Sequence, residues 1–227
     1  MANSRDALRS DLDGIMADVR ASFDAKHAAR EHALVACRQI TQLSANCIRA
    51  IHRQEFDAAT EMLASAKDQT RQAQKCLSEF TDIYHAGFLH DASKEYVEAT
   101  ATLALVTGAP IPTPASLGVE YAAYLNGLAE AASELRRFAL DALRREDRDR
   151  PEELLGAMDE IYAVLVTVDY PDAITKGLRR TTDVVRGVIE RTRADLTVIA
   201  MQQRLQDDIQ ALTMALVEES DDPTRSN

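Results

Sequence analysis

Residues 90–103, "HDASKEYVEATATL", place Glu95 and Glu98 three positions apart in a stretch whose apolar spacing is that of a buried helix. The two carboxylates fall one above the other on a single face, with Ala92, Ala99 and Leu103 close by. Acidic side chains set side by side in an apolar setting are costly unless a positive group lies between them. Either a basic side chain or a bound cation must therefore complete this face. Lys94, Arg136 and Arg137 are the basic side chains available.

Outward from that stretch the pattern remains helical. Of 227 residues, only 8 are Gly and 6 are Pro, and hydrophobic residues make up 46%, which allows a substantial core. No alternation of β-branched and aromatic residues competes with the helical reading. Residues 4–53 read as one long helix capped by Ser4, with Ala33, Leu34, Cys37, Ile40, Leu43, Cys47, Ile48 and Ile51 recurring at intervals of three and four. Its first third is polar and is free to pack on a partner chain. Further helices are expected over about 56–85, 89–107, 119–146, 152–167 and 172–219. The stretch "GAPIPTPASLG" (108–118) reads as a loop because its prolines break both helix and ladder. The fold expected is all-α: a single-domain bundle of about six to seven antiparallel helices over 1–219, followed by a disordered tail, 220–227.

Composition narrows the setting. The charged start "MANSRDALRSDLDG" is not a signal peptide, and no apolar run approaches the roughly 20 residues of a membrane span. Cys37, Cys47 and Cys76 form no CxxC pair; Cys37 and Cys47 lie about 15 Å apart along one helix, too far to bridge. They read as small buried hydrophobes in a reducing, cytoplasmic compartment. The net charge of −11, with five Lys against 21 Arg, argues on its own against a nucleic-acid binder, although it does not settle the partner.

Phosphate-binding loops, HExxH and zinc-spaced Cys/His sets are missing from the sequence, which leaves carboxylates on helices as the candidate chemistry. A second pair, Glu130 and Glu134, lies i, i+4 in "YLNGLAEAASELRR" (124–137) among Leu128, Ala129, Ala131 and Ala132. If the two carboxylate helices pack antiparallel across the proline loop, four carboxylates converge. An all-oxygen donor set favours Mg²⁺ or Mn²⁺ over zinc or non-haem iron. A ferritin-like di-iron site would require Glu-x-x-His, which neither pair provides. The competing reading is that these carboxylates are solvated and merely meet Lys or Arg.

Several motifs, in order and spacing, resemble the translin superfamily: "KEYVEA" (94–99), "YLNGLAEAASELRR" (124–137), "DYP" (169–171) and "LRRTTDVVRGVIERTRADLT" (178–197). Arg30, Glu31, Arg38, Ser44, Ile48, Arg49, His52 and Arg53 in the first helix fit as well. The resemblance covers most of the chain apart from residues 1–25 and the last eight. It implies a translin-like helical fold, assembled as a hollow homo-oligomer of six to eight subunits. It also implies the branch of translin-associated factor X (TRAX), in a prokaryotic-type form acting without a separate partner subunit. That branch carries a Mg²⁺-dependent endoribonuclease site. Glu95 and Glu98 match the two Glu of its first motif and Glu134 the Glu of its second, while Glu130 stands where the branch has a catalytic Asp.

On that resemblance Glu95, Glu98 and Glu130 would bind Mg²⁺, with Mn²⁺ as a substitute, and Glu134 would complete the shell or act as general base. Single-stranded RNA is the expected substrate, with single-stranded DNA as an alternative ligand. Tyr84, His85, Phe88 and His90 flank the carboxylate helix and suit base stacking and phosphate contact, and Arg49 and Arg53 end the first helix. The Arg run 179, 180, 186, 191 and 193 spans too many faces for one groove; it reads as salt-bridging to Asp183, Glu190 and Asp195. A different class of function stays open beside the enzyme: a non-catalytic, translin-type oligomer that binds single-stranded RNA or DNA.

Overall fold

The computed structural model describes residues 2–145, 147 and 149–220, and among these there is no strand. The expected disordered tail lies outside them, save for Ser220, which ends a helix. The helices are α1 (Ala2–His52), α2 (Phe56–Leu77), α3 (Thr81–Tyr84), α4 (Phe88–Thr107), α5 (Pro114–Leu117), α6 (Tyr121–Leu143), α7 (Arg150–Leu165), α8 (Asp172–Thr175) and α9 (Leu178–Ser220). No helix among the described residues is long and apolar enough to cross a membrane.

The inward stripe of α1 is Ala33, Cys37, Ile40, Ser44, Cys47 and Ile51, all buried, at the three-and-four spacing of one helix face. The helix starts at Ala2, so Ser4 lies inside it rather than capping it. It stops where Gln54 turns left-handed (φ 63°) and the Glu55 amide reaches back to the Ala50 carbonyl at 2.9 Å. The expected second helix is interrupted at Ser78–Phe80, where Phe80 leaves helical geometry. The expected last helix breaks at Lys176 and Gly177, both with positive φ. Cys37 and Cys47 are buried and their thiols are pushed up to about 11 and 12 by desolvation, but Cys76 is exposed, contrary to expectation.

The α1–α2, α6–α7 and α7–α9 pairs run antiparallel. The two carboxylate helices do not: α4 and α6 are parallel. His85, just before α4, lies 3.7 Å from Glu120, just before α6. At the far end, the Arg150 guanidinium donates to the Leu105 and Val106 carbonyls at 3.1 and 2.5 Å, satisfying the C-terminus of α4 from the start of α7. The proline segment is not loop throughout, since α5 occupies Pro114–Leu117, and it is a crossover rather than a tight turn: its nine other residues reach roughly 30 Å when extended, which with the roughly 6 Å of α5 is enough to return along the roughly 30 Å of α4. It is pinned where the Tyr124 hydroxyl donates to the Pro112 carbonyl (3.0 Å) and the Gln74 amide to the Gly118 carbonyl (2.6 Å). Helix α9 runs parallel to α6, since Asn126 bonds Thr175 and Thr181 while Arg136, further along, bonds Thr192 and Asp195. Of the Arg run on α9, Arg186 meets Asp183 (3.7 Å) and Arg193 reaches Asp159 of α7 (2.7 Å).

The α4–α6 crossing is unusually close. A Cβ placed on Gly127 would lie 2.6 Å from the Lys94 carbonyl oxygen and 2.7 Å from the Val97 Cβ. Gly127→Ala must therefore push the helices apart or strain them, and we expect a loss of about 1–3 kcal/mol, as in other overpacked cores, read from denaturant unfolding.

Candidate functional site

Parallel packing sets the Glu95–Glu98 face of α4 against the Glu130–Glu134 face of α6. Glu95, Glu98 and Glu130 each offer a carboxylate oxygen, and the three oxygens lie within 4.8 Å of one another. Around an ion whose ligands sit at about 2.1 Å, two oxygens are at most about 4.2 Å apart, so small rotations would close this trio on Mg²⁺ or Mn²⁺. Both the spacing and the all-oxygen chemistry fit a hard divalent cation.

A basic side chain already lies at the cluster. The Lys94 Nζ donates to Glu130 Oε1 at 2.7 Å and lies 3.7 Å from Glu95 Oε1. Burial opposes its charge, but the hydrogen bond to Glu130 and the surrounding carboxylates hold it above the ordinary lysine value. Arg136, the other expected partner, is committed to Asp195 at 2.7 Å. Glu95 is raised, chiefly by burial, with Lys94 working against the shift. Among the described residues Glu98 has neither a hydrogen-bond nor an ion-pair partner. Burial first, then repulsion from Glu130, Glu95 and Glu134, pushes its carboxyl up to about 8.

Glu134, one turn along α6, is held from α1: His52 Nε2 lies 2.9 Å from Glu134 Oε2, with the His52 side chain 4% exposed. The other ring nitrogen, Nδ1, is buried without a partner. Sequence reasoning noted His52 only as a position within a motif. The available signal was a histidine directly following Ile51 at the end of the buried α1 stripe.

The residues expected to bind nucleic acid separate into two groups. Tyr84, His85 and His90 line a cavity of about 470 Å³ that also touches Lys94, Glu130 and Lys176. The Tyr84 and His85 rings meet edge-on, 5.0 Å between centroids. Phe88 is outside that lining and packs against the core instead. Arg49 and Arg53 are exposed at the end of α1, and neither lines the cavity. Arg49 donates to Asn46, and Arg53 forks onto Glu55 at 2.8 and 2.7 Å.

A carboxyl raised from 4.5 to about 8 lets the folded chain hold a proton that the unfolded chain releases. Its stabilising contribution is complete below about 4.5 and is lost as pH rises toward about 8. In EDTA, the melting temperature should therefore fall across that window, and Glu98→Gln should flatten the dependence in thermal melts taken from pH 5 to 8.5.

No family model matches the chain. It is 28% identical over 195 residues to an uncharacterised protein of Methanocaldococcus jannaschii, covering 86% of each chain. Among solved structures it is similar to AfC3PO, at a TM-score of 0.77 and 34% identity, covering 84% of this chain and 98% of that one. The structure of AfC3PO in complex with duplex RNA matches at a TM-score of 0.76, with the same identity and coverage. The fold is shared with apo-NeC3PO (TM-score 0.73, 18% identity, 80% of this chain and 95% of that one). C3PO is of the translin/TRAX type, and on this identity and coverage the chain belongs to the translin superfamily.

Proposed function

We propose that the protein is a TRAX-like, metal-dependent endoribonuclease that cleaves unpaired RNA within a homo-oligomer. The observation that carries this reading is the trio Glu95, Glu98 and Glu130 beside a cavity lined by Tyr84, His85 and His90. Anionic side chains repel phosphate, so a subunit that only binds RNA gains nothing from an acidic cluster at its binding face. Glu95, Glu98 and Glu130 would hold Mg²⁺ or Mn²⁺. Once bound, the cation supplies charge stabilisation at the phosphoryl oxygens and lowers the pKa of bound water.

The remaining steps fall to the chain itself. Glu134, fixed by His52, accepts a proton from the water that attacks phosphorus as the bond to the leaving ribose oxygen breaks. Lys94 exchanges its bond to Glu130 for one to the phosphate. Tyr84 and His85 give an unpaired base a surface on which to stack, which favours single-stranded RNA, with single-stranded DNA as a weaker ligand. The same contacts suit flayed or unpaired positions within the kind of duplex seen with AfC3PO.

Assembly into six to eight subunits accounts for apolar stripes the single chain leaves open. Leu8, Leu12, Ile15 and Phe23 on α1, with Met201, Leu205 and Leu212 on α9, are all more than 45% exposed. An inward-facing site would also reconcile RNA with the net charge of −11, because only the lumen needs to attract phosphate.

A second reading rests on Lys94. Its bridge to Glu130 neutralises part of the cluster without any ion, as expected of a non-catalytic oligomer that only binds RNA or DNA. Cleavage of a labelled single-stranded RNA in Mg²⁺, Mn²⁺ or EDTA separates the two. The enzyme reading predicts metal-dependent cleavage, reduced roughly a hundredfold or more by Glu98→Ala. RNA binding with no cleavage in any metal would favour the second. If His52 positions Glu134, His52→Ala should lower kcat about tenfold with little change in KM. His52→Gln, which keeps a donor, should restore part of that loss.

A further inference from the structure

Lys94 stands where a bound cation would stand. Its Nζ lies 2.7 Å from Glu130 Oε1 and 3.7 Å from Glu95 Oε1, so it already engages two of the three carboxylates whose oxygens come within 4.8 Å of one another. A divalent ion held by the same Glu130 oxygen at about 2.1 Å would lie within about 5 Å of that Nζ. The lysine side chain is 22% exposed and its two partners 31%, so solvent screens little of the repulsion between the two positive groups. Ion and ammonium therefore compete for Glu130.

The fold decides how Lys94 can leave. Its carbonyl oxygen would be 2.6 Å from a Cβ on Gly127, so the α4–α6 contact fixes its backbone. Only the side chain can turn, and its flexible four-carbon stem allows that. The space open to it is the cavity of about 470 Å³ whose lining includes Lys94 with Tyr84, His85 and Glu130. Asp91 and Glu120 also line that cavity, so the freed ammonium is not stranded. They are present whether or not RNA is bound, however, and only a phosphate brought by RNA adds a new anion for it.

From this we infer that Lys94 is a latch on the metal site: it competes with the divalent cation for Glu130 and Glu95, and RNA opens the latch by offering the ammonium a phosphate. Cation and RNA then load together, each raising the affinity of the other. The inference deepens the endoribonuclease reading and rests on it for the identity of both ligands. What it adds is an order of events, in which the cluster stays closed to free cations until substrate arrives.

The test is titration of the full-length protein with Mn²⁺, reading the free ion by electron paramagnetic resonance. It is run in a Glu134→Gln background, where loss of the general base spares single-stranded RNA. Without RNA, adding Lys94→Gln should tighten Mn²⁺ binding about tenfold. With saturating single-stranded RNA the two proteins should agree within about twofold, because the latch is then open in both. A lysine acting only as a nearby charge would give the same gain with and without RNA, and that result overturns the inference. Unchanged or weaker Mn²⁺ binding in RNA-free Lys94→Gln overturns it as well. A misfolded variant would bind Mn²⁺ less tightly, so poor folding cannot imitate the expected gain. Glu98→Ala, which removes a ligand, should abolish the tightly bound ion in either protein. If it does so while Lys94→Gln changes nothing, the latch falls and the metal site stands. If no ion binds at the cluster in any of these proteins, with or without RNA, the nuclease reading falls too.

Discussion

The architecture of the site depends on one close approach. At Gly127 the backbone of α6 lies almost against that of α4, in a place where even a methyl group would collide with the Lys94 carbonyl. Small buried residues on the same helix faces continue the seam, Ala101 on α4 and Ala131 on α6. Larger side chains would hold the helices at the usual 8–10 Å separation, and the carboxylates on either side would then reach only water. Close packing is what turns two ordinary acidic pairs into one cluster.

That cluster carries an electrostatic cost, and the surrounding residues are arranged to limit it. Glu95 and Glu130 share Lys94, Glu134 has His52, and Glu98 is left to be relieved by taking up a proton. A protonated carboxyl with a partly buried lysine beside it is a tolerable resting state. It is also a state that a divalent cation can displace, by expelling the Glu98 proton and freeing Lys94 for an anion. On the proposed reading, the same residues would serve both a metal-free fold and a phosphate-handling site. The parallel run of α4, α6 and α9 adds a second source of positive potential that the net charge of the sequence conceals.

What the sequence revealed follows from what is local. Helical periodicity from Ala33 to Ile51, the proline break after Gly108 and the i, i+3 and i, i+4 carboxylate spacings are short-range patterns, and each has its counterpart in the fold. The direction of α6 against α4 was not legible, because a thirteen-residue connection closes equally well as a loose turn or as a crossover. Pinning by Tyr124, Gln74 and Arg150 decides it, and those are long-range contacts. The role of His52 was hidden because its partner lies 82 positions away. Phe88, grouped with Tyr84 and His90 by proximity in sequence, lies outside the cavity lining and packs against the core.

The proposed chemistry depends on Glu95, Glu98 and Glu130 sharing one cation. Anomalous diffraction from crystals of the protein grown with Mn²⁺ addresses this directly. A single strong peak within about 2.0–2.3 Å of an oxygen from each of the three carboxylates, with the Lys94 ammonium withdrawn from Glu130, is the predicted result. A map with no peak at the cluster, and with Lys94 still bridging to Glu130 at saturating Mn²⁺, would contradict it.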